Sequence, residues 1–160
     1  MGFVYARIRL MKRVFEIDEI KEVADELLDI VKQSAKNNSA TLVALSGELG
    51  AGKTTLTQAF ARGIGIKEDV LSPTFVLMRI YKIDDKKLGK IFEHLIHIDA
   101  YRIEDEKELL TLGWGEMLKN EKNLILIEWP EKVSGIIPES AIHIKILHKG
   151  ERIREIEISK

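Results

Sequence analysis

The sequence predicts an α/β fold, on three observations. The first is Gly47-Glu48-Leu49-Gly50-Ala51-Gly52-Lys53-Thr54, a glycine loop between an apolar strand-like run and a helix-like segment. The second is Leu124-Ile125-Leu126-Ile127, a continuous apolar run of the kind found in strands covered on both faces. The third is a pair of alternating segments, 141–147 and 151–158, joined by His148-Lys149-Gly150 as an antiparallel hairpin.

Taken in order, residues 1–10 alternate and read as an edge strand or an extension outside the core, because Met11-Lys12-Arg13 resembles a second start. Val14 to Ile17 is a short strand, with Asp18 as N-cap of the helix that follows. Ile20, Val23, Ala24, Leu27, Leu28, Val31 and Ala35 recur at helical spacing, and Asn37-Asn38-Ser39 ends that helix. A strand over 40–46 enters the glycine loop, and a helix runs on to Gly63. Pro73 stiffens the Ser72-Pro73-Thr74 connection. Residues 75–83 and 90–99 form an antiparallel pair around a polar turn at 84–89. A helix at 104–112, interrupted by Gly113, and a short one at 116–119 precede the apolar strand. One domain over 1–160 is expected, since no linker divides the chain.

Composition bounds the function. The 160 residues are 45% hydrophobic and 32% charged, with a net charge of -1, so overall charge makes no case for nucleic acid or membrane binding. No apolar run reaches the length of a membrane span, and no signal peptide pattern occurs. The absence of cysteine removes disulfide and thiolate chemistry and suits a cytoplasmic setting.

The glycine loop carries the chemistry. A polyphosphate is wrapped best by inward-pointing backbone N–H groups, and Gly47, Gly50 and Gly52 permit close approach and positive φ. Leu49 and Ala51 complete the wrapping backbone. The helix start adds unpaired N–H groups and the positive end of its dipole. Lys53 is expected on the β- and γ-phosphates, Thr54 on Mg²⁺, and Thr55 on a phosphate or in solvent. Such a loop needs a metal carboxylate at the end of a neighbouring buried strand. Glu128 follows Leu124–Ile127 and Asp99 follows Leu95-Ile96-His97-Ile98, so both are candidate metal ligands. Asp99 is also a candidate for holding a metal-bound or attacking water, weighed against a surface carboxylate or a partner for Arg102. Lys53, Asp99 and Glu128 form the candidate catalytic set. Thr74 is a candidate γ-phosphate sensor, weighed against a rigid turn. Trp129 covers the strand end beside the nucleotide or presents a partner surface. His94 and His97, three apart on a strand, point to opposite faces and form no metal pair; each reads as an ordinary packed residue. Trp114 reads as a packing anchor.

Together these segments resemble the TsaE (YjeE) family of bacterial phosphate-loop ATPases, required for threonylcarbamoyladenosine formation on tRNA. The resemblance spans roughly residues 13–148. It rests on the loop through Thr55, Ser72-Pro73-Thr74-Phe75, His97-Ile98-Asp99-Ala100-Tyr101-Arg102, Glu108-Leu109 with Gly113, and Ile127-Glu128-Trp129-Pro130-Glu131-Lys132. It implies a three-layer P-loop NTPase-like sandwich with a mixed parallel/antiparallel sheet, ATP and Mg²⁺ as ligands, and slow intrinsic hydrolysis. It also implies TsaD-like and TsaB-like partner subunits, with tRNA reached indirectly through the complex. Thr54, Glu128 and Asp99 match the metal site, Thr74 and Trp129 the surroundings of the nucleotide or partner, and Ile17 to Glu19 the nucleobase region. Val76 and Ala100 depart from the usual pattern. Two alternatives remain: a small P-loop kinase, disfavoured by the lack of an arginine-rich lid, and an interaction subunit in which hydrolysis is incidental. A GTPase is disfavoured because no Asn-Lys-x-Asp segment occurs.

Overall fold

The computed structural model describes residues 10–35, 38–71, 73, 76–85 and 88–160. The expectations for 1–9, and those for Ser72, Thr74 and Phe75, lie outside the described residues. Seven strands form one sheet: β1 (Met11–Glu16), β2 (Thr41–Gly47), β3 (Met78–Lys82), β4 (His94–Asp99), β5 (Asn123–Glu128), β6 (Ile142–His148) and β7 (Ile153–Ser159). Their order across the sheet is β1-β7-β6-β2-β5-β4-β3. The middle four, β6-β2-β5-β4, are parallel. β3 adds antiparallel at one side, and β7 followed by β1 at the other. The mixed sheet that the resemblance implies is therefore observed.

The period of two along each central strand divides the core into two layers. Val43, Leu45, Leu124 and Leu126 face α1 (Ile20–Ser34) and α2 (Lys53–Gly63). Leu42, Ala44, Ile125 and Ile127 face α3 (Glu106–Thr111), α4 (Trp114–Lys119) and a 3-10 turn at Pro130–Ile136. All six residues of β5 are buried, as its unbroken apolar run requires. α1 buries Val23, Ala24, Leu27, Leu28 and Val31 and packs along α2. Trp114 is the packing anchor expected, its Nε1–H donating to the Ile136 carbonyl at 3.0 Å.

The expected N-cap at Asp18 is corrected. Ile17–Glu19 forms a 3-10 turn before α1, and the Glu19 carboxylate accepts the Glu16 N–H at 2.7 Å. Asp18, inside that turn, pairs instead with Arg152 of the C-terminal hairpin. α3 is shorter than 104–112, because the Asp105 carboxylate caps it by accepting the Lys107 N–H at 2.9 Å. The second short helix begins at Trp114 rather than Glu116.

Candidate phosphate-binding site

Parallel strands place their carboxyl ends side by side, and β2, β4 and β5 deliver three functional segments to one edge of the sheet. β2 ends at Gly47 and opens the loop to α2. Gly47 has no room for a side chain: a Cβ there would lie 2.7 Å from the Ile146 carbonyl oxygen of β6. Gly50 (φ 75°) and Gly52 (φ 108°) hold the left-handed conformations that turn the loop into the helix. The N–H groups of the first turn of α2 have no acceptor within the helix and mark an anion site.

A cavity of about 300 Å³ opens over this loop. Leu49, Gly50, Gly52, Lys53, Thr54 and Thr55 line it on one side, and Asp99, Tyr101, Glu128 and Trp129 on the other. Gly47 and Ala51 sit behind that wall. Gly47 packs on β6, and the Ala51 carbonyl accepts from Arg154 Nε at 3.0 Å. Thr74 lies outside the described residues.

Lys53 is only 5% exposed. Its Nζ donates to the carbonyls of Gly47 at 2.6 Å and Glu48 at 2.9 Å, and lies 4.2 Å from the centre of the Trp129 ring. Burial lowers its pKa from the ordinary 10.5, against the opposing pull of Glu128, Glu131 and Asp99. Trp129 takes a left-handed backbone (φ 57°, ψ 48°), which turns its ring back over the lysine. Tyr101 packs against that ring at 5.0 Å between centroids, inclined by 51°.

Asp99 and Glu128 are register partners at the ends of β4 and β5, both buried. Asp99 Oδ1 accepts the Tyr101 N–H at 3.0 Å. Glu128 Oε1 lies 2.9 Å from His97 Nε2 and 3.4 Å from the Thr57 hydroxyl. His97, read from the sequence as ordinary packing, thus touches the site. The parity argument separating it from His94 holds, yet strand spacing alone carries no sign of a glutamate 31 residues away.

Arg154 was also missed. Buried on β7, it reaches the phosphate loop through Ala51 and gathers the carbonyls of Gly150 (3.0 Å), Glu151 (3.3 Å) and Ile153 (3.0 Å). No local pattern in an alternating hairpin signals that reach. Ile17, expected near a nucleobase, lies close to the loop: its Cδ1 would be 3.7 Å from a Cβ on Gly52.

A glycine loop opening a helix at the carboxyl edge of a parallel sheet, with a buried lysine facing two strand-end carboxylates, defines the phosphate-loop class of nucleotide-binding proteins. Within that class the match is specific. Residues 16–156 fit the family described as "Threonylcarbamoyl adenosine biosynthesis protein TsaE", and the chain belongs to the TsaE family. It is similar to the tRNA threonylcarbamoyladenosine biosynthesis protein TsaE of Haemophilus influenzae, 42% identical over 119 residues, covering 74% of this chain and 70% of that one. The protein of the same description from Aquifex aeolicus is 31% identical over 137 residues, covering 84% and 86%. The crystal structure of Bacillus subtilis YdiB superimposes with a TM-score of 0.69 at 28% identity, covering 94% of this chain and 85% of that one.

Proposed function

We propose that this chain binds ATP with Mg²⁺ and hydrolyses it in support of tRNA threonylcarbamoyladenosine biosynthesis, in the cytoplasm, alongside TsaB-like and TsaD-like subunits. The relatives' names supply the process, and the observation that carries the chemistry is the convergence of Lys53, Asp99 and Glu128 on one cavity. Among the described residues no helix is long and apolar enough to cross a membrane.

The donor set fits the ligand. Thr54, Asp99 and Glu128 offer only oxygen, the preference of Mg²⁺. Among the described residues no three His, Cys, Asp or Glu side chains cluster to hold a metal by themselves. Bound there, Mg²⁺ supplies charge neutralisation at the phosphates. The protein's own groups do the positioning. Lys53 would exchange its loop carbonyls for phosphate oxygens, Thr54 and Glu128 would hold the ion, and Asp99 would orient the attacking water. Trp129 and Tyr101 exclude solvent from one side.

A second reading, an ATP-dependent interaction subunit with incidental hydrolysis, is favoured by the apolar rim of the cavity, where Leu49 is 81% exposed. The two are separated by measuring phosphate release by the chain alone and with a TsaB–TsaD-like pair, using Lys53→Ala and Glu128→Ala. Turnover that needs both residues and rises with the partners supports the ATPase. Turnover indifferent to both substitutions sinks the site assignment. Partner binding that requires ATP, with no phosphate released, favours the interaction subunit.

A further inference from the structure

His97 is fully buried on β4, on the face occupied by Asp99, with Leu126 of β5 as its register partner. Leu95, Leu124 and Leu126 lie beside it on that face, and Arg79 of β3 is its register partner on the other side. An aliphatic side chain would fill such a place more cheaply than an imidazole, which must be desolvated. The imidazole is matched to one atom. Nε2 is 2.9 Å from Glu128 Oε1, whereas Nδ1 is buried without a hydrogen-bond partner. A carboxylate oxygen only accepts, so Nε2 carries a proton toward it. The Thr57 hydroxyl, which donates to the Lys53 carbonyl at 2.9 Å, lies near the same oxygen. Among the described residues both contacts to the Glu128 carboxylate fall on Oε1, and none on Oε2.

We propose that His97 is a positioning residue that sets cation selectivity: it reserves Oε1 of Glu128 for the protein and leaves Oε2 as a single-point ligand. The inference rests on reading Glu128 as a metal ligand. A small ion with strict octahedral geometry is satisfied by one carboxylate oxygen. Ca²⁺ is larger, takes six to eight oxygens, and readily accepts both oxygens of one carboxylate. A buried, charge-assisted hydrogen bond on Oε1 opposes the rotation that chelation needs. The site accordingly favours Mg²⁺ through the orientation of one side chain rather than through cavity size. Partners that orient metal-binding carboxylates commonly change affinity by about 10- to 100-fold when removed.

The test uses the full chain, a fluorescent non-hydrolysable ATP analogue, and titration with Mg²⁺ or Ca²⁺ while anisotropy reports binding. For His97→Leu, the ratio of half-saturating Ca²⁺ to Mg²⁺ is expected to move toward Ca²⁺ by about tenfold. His97→Gln, which keeps an N–H donor, should restore most of the Mg²⁺ preference. A ratio unchanged in His97→Leu, or shifted equally in His97→Gln, overturns the proposal. Glu128→Ala separates the underlying reading: if it leaves cation dependence intact, Glu128 is not a ligand at all. Should the leucine variant fail to fold, imidazole ¹⁵N spectra of the wild-type chain decide. A proton on Nε2 in slow exchange supports the assignment, and a ring that carries its proton on Nδ1 alone overturns it.

Discussion

Lys53 holds a positive charge where solvation of charge is poor, and its carbonyl contacts compensate only in part. Because its folded-state pKa lies below 10.5, the unfolded chain holds more protons between the lowered value and 10.5. Stability therefore rises with pH through that window, and the full cost of burial persists below it. Urea melts of the wild type and Lys53→Met should show the wild type gaining on the variant as pH climbs toward the ordinary lysine range. A constant difference would contradict the burial of the cation. At this scale the sequence was legible wherever a residue's role follows from its neighbours in the chain. Glycines before Lys53-Thr54 and carboxylates after apolar strands announce themselves. His97 and Thr57 do not, since their meaning depends on an oxygen delivered by β5.

The phosphate loop is held as an element from two directions, and each hold can be removed. Gly47→Ala forces a methyl group to within 2.7 Å of the Ile146 carbonyl, backbone that cannot swing aside. The expected loss is about 1–3 kcal/mol, the range for overpacking, read from the urea midpoint, together with weaker nucleotide binding. Arg154→Met keeps much of the stem while deleting every guanidinium bond. The Ala51 carbonyl then loses its partner, with an expected cost of about 1.5–3 kcal/mol for a bond to a charged group. An unchanged midpoint would mean that the loop needs no brace. Helices were legible from their apolar stripe, and their ends were not. Asp18 lies inside the first turn, whose N-cap is Glu16, and the carboxylate that reaches back to the Glu16 N–H is that of Glu19, the third residue of the turn. The Pro130–Ile136 turn went unread because its value lies in burying Pro130 and Val133 against the sheet.

Across the molecule, the two hairpins could be read from alternation and turns, but the order β6-β2-β5-β4 could not. Parallel neighbours are joined by long crossovers and leave no local signature of which strand lies beside which. That order is what brings Asp99 beside Glu128. The proposed ligand should also report on the whole fold. ATP with Mg²⁺ at a hundred times its dissociation constant should stabilise the protein by about 2.7 kcal/mol, with a corresponding rise in Tm. Glu128→Ala should lose the Mg²⁺-dependent part of that rise in calorimetry.

The pairing of β1 with β7 ties residue 11 to residue 158. Arg152, at the head of β7, accepts the Ile17 N–H at its carbonyl (2.9 Å), and Arg154 clasps the phosphate loop. On a ribosome, β2 and the loop would emerge about a hundred residues before their clasp, so contacts distant in sequence must wait for late synthesis. A nascent chain halted before Ile153 would carry the whole glycine motif and still lack the grip that shapes it. Stalled chains of graded length, probed with the fluorescent ATP analogue, should gain binding abruptly once Arg154 has cleared the exit tunnel. A gradual gain beginning with α2 would show that the loop shapes itself.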